Sequence, residues 1–440
     1  MEKFGIIGAG PSGLTVGLFL SRDFRIYESA HEAGGHARSI RDGQWTFDRG
    51  PHILFSRDKK ILDWMLNCLR GNVHNSRRNV KVLINGRLIG YPIENDLSSL
   101  STEDNFKALL NLVESRMSNL VTPNNLDEWF RKNFGDHLTE IYFKPYNEKV
   151  WNIPLSDLSM SWADRIPQPP LSDVISGAVG IHKEGYVHQL HYQYPLVGGF
   201  QALTDEWASK IQEKIQLNCE VNKIKSSSGN VLLSTSNGDF LHEKVIFTGY
   251  LQNLPSICDF KIPEFILEDI NSLRVNPMSC VTLGFRGVDI NQFTALYIPE
   301  QEFPFNRISF PHIFSPFNSP EGHFLVQGDL TYSPGQPPLE ESRIIELLHT
   351  YLISNGIIGT DSELVYRHHS YFPYAYVVND IGSEIKVERI KDFFASKEII
   401  LHGRFGAFNY INTDMCVKAS AELVSSLTRR KDPYELLREF

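Results

Sequence analysis

The chain has 440 residues, 42% hydrophobic and 22% charged, with a formal net charge of -9. That length suffices for two or three domains with a sizeable core, and the composition is that of a soluble globular protein. The acidic surplus argues against nucleic acid as a partner. No apolar run reaches the roughly 18 residues of a membrane span. Five cysteines, scattered singly with no CxxC spacing, read as free thiols of a reducing cytosol rather than disulfides or metal ligands.

The first stretch, FGIIGAGPSGLTVGLFLSRDFRIYE (4–28), predicts a strand at Phe4 to Ile7, a turn through Gly8, Gly10 and Gly13, a helix, and a second strand ending at Glu28. Glycine breaks its apolar character and no cleavage site follows, so it is read as fold rather than leader. Gly8 permits the tight turn, Gly10 lets backbone approach a pyrophosphate, and Gly13 allows close helix–strand packing. The helix N-terminus, with Pro11 and Ser12, faces the phosphates, and Glu28 accepts from ribose hydroxyls. The strand–turn–helix–strand–acid context makes this a dinucleotide site.

EAGGHARS (Glu32 to Ser39) follows, with a second glycine pair, Gly34 and Gly35, and then Arg38 and Ser39. This doublet resembles that of FAD enzymes in the amine-oxidase and mutase superfamily, which favours FAD over NAD. No second GxGxxG announces a separate nicotinamide domain. In DRGPHILF (48–55), His52 reads as a general base, a cofactor wall or a satisfied core histidine.

Residues 58–185 have mostly helical periodicity, with starts expected at Thr102 and behind Asn125, and a hairpin turning at Asn85-Gly86. From 214 strands dominate: a meander with turns at Ser228-Gly229 and Asn237-Gly238, then a β region over 275–376. A helix is expected near Ser342–Ile353, a last strand at Ile399–His402, and a final helix after Asp414. The expected fold class is α/β: a Rossmann-like FAD-binding domain interleaved with a helical domain and a β-sheet substrate domain. Its boundaries are expected at 1–57, 196–262 and 396–440 for the first, 58–195 for the second and 263–395 for the third.

The segments GGHARS…FDRGPHILF, YNEKVWNIP…MSWADRI, LYIPEQEFPFNRISF, AYVV and GRFGAFNY occur in an order that resembles UDP-galactopyranose mutases, particularly the eukaryotic-type branch, from Gly8 to Asp414. The resemblance implies a cytoplasmic isomerase of cell-surface polysaccharide biosynthesis. It would interconvert pyranose and furanose forms of a nucleotide-diphospho-sugar, UDP-galactose or a related one, through an adduct of the sugar on N5 of reduced FAD. An external reductant, NAD(P)H or a reductase, would keep the flavin reduced, and a homo-oligomer is possible.

By the same resemblance Arg307 and Arg165 face the substrate diphosphate, where planar guanidinium groups suit phosphate. Tyr297, Tyr376 and Tyr410 donate to phosphate oxygens, and Asn147 and Trp151 line the sugar and nucleotide side. Arg404 lies beside the flavin, Asn412 and Asp414 open the final helix toward it, and Val221 joins the cofactor site. Attack by N5 demands no base at His52, so His52 is assigned to the flavin wall. Each residue has a bland alternative as surface charge, core ring or salt bridge.

Three positions depart from the pattern. Glu94 stands where these mutases typically have glutamine, Ile313 where an asparagine is usual, and Gln189 near another missing asparagine. They suggest a different sugar or base. The alternative reading is an FAD-dependent oxidoreductase of amine-oxidase or protoporphyrinogen-oxidase type; such enzymes carry a C-terminal Gly-Glu motif where this chain has GRFGAFNY, and an apolar cage with few arginines. A flavin-binding scaffold without activity is a third.

Overall fold

The structure, a computed structural model, describes residues 2–117, 122–166, 168–181, 190–227, 229–430 and 432–438; the side chains of Trp162, Asp164 and Arg165 fall outside that description. Its nucleotide end is a five-stranded parallel sheet in the order Ile399–Leu401, Lys244–Phe247, Phe4–Ile7, Phe24–Tyr27, Ile215–Gln216. Four separate stretches of chain build it, with Phe4–Ile7 in register between Lys244–Phe247 and Phe24–Tyr27. The helices Pro11–Leu20 and Thr413–Thr428 cover one face, and their contact buries Leu14, Leu18, Val417 and Val424. The meander Val221–Ser227, Asn230–Thr235, Gly238–His242 is antiparallel and packs beside this sheet.

The second body is a seven-stranded sheet in the order Glu363–Val378, Arg274–Arg286, His323–Thr331, Arg307–Ser309, Ala295–Tyr297, Val80–Ile84, Arg87–Gly90. Arg274–Arg286 is buried at every position between its ends, because it is central in the sheet and covered on both faces; it therefore reads as a continuous run without alternation. Its edge neighbour Glu363–Val378 alternates exposed and covered residues over its first half, as a strand with one wet face does. The hairpin 80–90 turns at Asn85 and Gly86, both at positive φ (50° and 72°), the geometry of an Asn-Gly turn. It extends this sheet, so the segment expected to be helical also supplies two of the sheet's strands.

The remaining helical segment contains Lys59–Cys68, Thr102–Met117, Leu126–Leu138 and Lys144–Trp151. Asn125 caps its helix by accepting from the Glu128 amide. The helix at Thr102 is capped one residue earlier than expected: the Ser101 hydroxyl accepts from the Asp104 amide and donates to the Asp104 carboxylate. The expected turn at Ser228 lies partly outside the described residues. Among the described residues no helix is long and apolar enough to cross a membrane.

Candidate active site

A continuous cavity of about 760 Å³ runs between the two bodies, from the glycine motif to the large sheet. At the nucleotide end, Gly8 has φ +100°, and a Cβ on Gly13 would lie 1.9 Å from the Gly8 carbonyl, so both must be glycine. The glycine doublet docks on this turn. The Gly34 amide donates to the Ala9 carbonyl (2.8 Å), and a Cβ on Gly35 would meet Gly10 Cα at 3.0 Å. Gly10, Pro11, Ser12, Gly35 and Arg38 line the cavity, while Gly13 and Gly34 shape the turn from behind. Glu28, on the cavity wall, accepts from the Ala9 and Ala30 amides (2.7 and 2.9 Å), and Val221 lines the same end. Two helix N-termini, at Pro11 and Thr413, open on the cavity with Asn412 and Asp414 beside the second; the helix dipoles and free amides favour an anion there.

At the far end the walls are cationic and phenolic. The Arg404 guanidinium sits 4.4 Å from the Tyr410 ring centre and donates to the carbonyls of Ile411 and Ala375 (3.3 and 3.1 Å). Its Nε is buried with no acceptor among the described residues. Tyr376 and Tyr410 stack at 5.9 Å, with Trp151 edge-on to both. Arg307 donates through Nε and Nη2 to a single oxygen, Oδ2 of Asp329 (2.8 and 2.5 Å), and Nη1 has no acceptor among the described residues. Burial alone would push Arg307 toward neutrality, but Asp329 and the phenols of Tyr376, Tyr146 and Tyr297 reverse this and hold its pKa well above the usual value. Asp329 is fully buried and takes a further hydrogen bond from Cys280 Sγ (3.3 Å).

His52 lines the cavity between these ends and lies against Phe200 at 5.1 Å. Burial, reinforced by Arg404 and Arg307, pushes its pKa down to about 4. It is therefore a neutral ring at ordinary pH, with a buried Nδ1 that has no partner among the described residues.

Other expected residues stand elsewhere. Ser39 is turned away from the cavity: its hydroxyl donates to Asp48 (2.6 Å) and its oxygen accepts from the Gln201 amide. Asn147 is buried behind the tyrosines, donating to the Phe143 carbonyl and accepting from the Trp151 indole. Tyr297 belongs to an aromatic group with Tyr91 and Tyr146, each 5.3 Å away, that adjoins Arg307 through the sheet register. The Arg165 side chain and Gln189 lie outside the described residues. Glu94 is buried and pushed up to about 7 by that burial, with Arg116 opposing. Ile313 packs against the core of the large sheet and does not line the cavity.

Sequence reasoning missed Asp329, which a carboxylate between apolar neighbours in a strand could have flagged. It also missed the cavity-lining His36, Arg49 and Tyr250, although His36 and Arg49 sit inside the quoted motifs. His36 shares a hydrogen bond with the Tyr250 hydroxyl (2.8 Å), and burial first, then Arg404 and its neighbours, push its pKa down to about 3.

Known proteins resemble this chain in part or throughout its length. The family described as NAD(P)-binding Rossmann-like domain matches residues 6–69. A curated protein of Klebsiella pneumoniae named probable UDP-galactopyranose mutase is 26% identical over 173 residues, 37% of this chain. The match spans 44% of that relative's length. A crystal structure of reduced UDP-galactopyranose mutase superposes with a TM-score of 0.90 at 25% identity, covering 99% of this chain and 97% of the other. A putative protoporphyrinogen oxidase from Exiguobacterium sp. 255-15 superposes at 0.75 with 18% identity over 98% and 99%, which is a likeness of fold. The chain thus resembles UDP-galactopyranose mutases in sequence and over its whole fold.

Proposed function

We propose that this chain, built on the fold of the UDP-galactopyranose mutases, is a flavin-dependent isomerase that interconverts the pyranose and furanose forms of a nucleotide-diphospho-sugar, UDP-galactose or a related one. The observation that carries the reading is the continuity of one cavity, from a dinucleotide turn at Gly8–Gly13 to a cradle containing Arg307, Tyr376 and Tyr410. The glycine turn, the doublet and both helix N-termini fit an FAD, and the unpartnered Nε of Arg404 and Nδ1 of His52 suit its ring end. When bound and reduced, FAD would supply an electron-rich nitrogen able to capture an anomeric carbon.

The protein's own residues do the rest. Arg307, kept charged by Asp329, offers its remaining guanidinium edge to a departing diphosphate, and the Tyr376 and Tyr410 hydroxyls donate beside it. Arg404 sets a positive charge where an anionic ring would lie. His52, neutral and hydrophobically backed, forms a wall rather than a base. Arg165 is assigned to the same diphosphate, and Asn147 and Trp151 brace the tyrosines. NAD(P)H or a reductase would restore the reduced state.

The test is ring interconversion. Dithionite-reduced protein should convert UDP-galactopyranose to the furanose, read by chromatography, with no net redox change. Arg307→Ala should weaken nucleotide-sugar binding by about 2–4 kcal/mol. Flavin reduction by an amine with peroxide release, and no ring interconversion, would refute the proposal in favour of an oxidase.

A further inference from the structure

Arg38 and Arg49 both line the cavity, and the Arg49 amide donates to the Arg38 carbonyl (3.2 Å), which holds the two residues side by side. Arg38 is tied down: its Nε donates to the Gly35 carbonyl (3.1 Å) and Nη1 reaches Glu32 at 3.4 Å. Arg49 is half-buried, and its guanidinium has neither a carboxylate nor a carbonyl acceptor among the described residues. Glu32, the nearby acid, already meets Arg38 and His31 and accepts from the Gln201 side-chain amide. Burial, and then the like charge of Arg38, lower the Arg49 pKa, with Glu32 and Tyr250 opposing.

The backbone that carries Arg49 is fixed. The preceding carboxylate, Asp48, is buried and accepts from the Ser39 and Tyr194 hydroxyls (2.6 and 2.9 Å) and the Phe200 amide (3.0 Å). Gly50, at φ +84°, turns the chain directly after it. A guanidinium held in a partly desolvated cavity beside a second one, with the shared acid occupied, is a site for an anion. Its neighbour Arg38 packs on Gly34, whose partner Gly35 abuts Gly10, so the anion site adjoins the phosphate-binding turn.

We infer that Arg49, with Arg38, grips a phosphate of the bound dinucleotide, as a second contact opposite the Gly8–Gly13 turn. This rests on the reading that the cavity takes FAD. A phosphate could also come from the 2′-phosphate of NADPH as reductant, and the experiment separates the two. Apo-protein is titrated with FAD by flavin-fluorescence quenching, as wild type, Arg49→Gln and Arg49→Lys, at low and high salt. In parallel, holoenzyme is reduced with NADH and with NADPH.

Arg49→Gln should bind FAD about 10- to 100-fold more weakly and with a shallower salt dependence, Arg49→Lys should recover part of the loss, and the NADPH-to-NADH rate ratio should stay unchanged. FAD affinity in Arg49→Gln within twofold of wild type would overturn the inference. So would a collapse of the NADPH preference with FAD binding intact, which would give the phosphate to the reductant. A wild type that binds no FAD would instead remove the underlying reading.

Discussion

Asp329→Asn tests the part of the cradle that the structure adds to the sequence. Asp329 is fully buried, and both Arg307 contacts fall on one oxygen, so an amide there either turns its NH2 against Arg307 or faces Cys280 with a donor. The change leaves a mostly buried guanidinium uncompensated, which costs about 3–5 kcal/mol. Unfolding entropy of about 2.1 cal/mol/K per residue over 440 residues is about 0.9 kcal/mol/K, so Tm should fall by about 3–5 °C. Calorimetry reads the first effect, and titration with UDP reads the second, a loss of affinity as Arg307 leaves its position. The double variant Arg307→Met, Asp329→Leu should regain most of the Tm, since an apolar pair of similar volume replaces the ions, while UDP affinity stays lost. If Asp329→Asn keeps both Tm and UDP affinity, Asp329 does not hold Arg307 and the account of the cradle is wrong.

His52→Ala should slow turnover and alter flavin reduction while FAD remains bound; kinetics equal to wild type would remove His52 from the wall. Because its folded pKa is depressed from about 6.5 to about 4, the histidine favours the folded state above about pH 6.5, and that contribution is lost as pH falls toward 4. The rate profile should therefore have no limb from His52 between about pH 5.5 and 8, and a limb in that range that vanishes in His52→Ala would contradict its neutrality. Gly13→Ala should destabilise the protein by about 1–3 kcal/mol or more and abolish FAD retention, because its methyl would press on the Gly8 carbonyl at 1.9 Å. Normal FAD content at normal Tm would show that this turn is not built as described.

The nucleotide end was legible because its determinants are local. Gly8, Gly10, Gly13 and Glu28 lie within one strand–turn–helix–strand unit, where backbone sterics and a helix terminus fix the ligand class before any tertiary contact forms. The asparagine cap at Asn125 and the Asn85-Gly86 turn were readable for the same reason. The orientation of Ser39 was not legible, because a hydroxyl four residues after the doublet gives no sign of which way it points; it donates to the buried Asp48 carboxylate. Tyr297 and Asn147 were named from resemblance, and only packing decided that Asn147 supports the tyrosines from behind.

By itself the sequence determined that this chain carries a Rossmann-like dinucleotide turn near its start and alternates helical and strand regions, since periodicity and glycine turns act over a few residues. Which charges face one another was decided by the fold alone. Arg307 meets Asp329 through antiparallel register between neighbouring strands, and Arg404 reaches Tyr376 on the strand Glu363–Val378 of the large sheet. A guanidinium's role depends on its counter-ion and its desolvation, and both are set by neighbours that no local pattern of residues encodes.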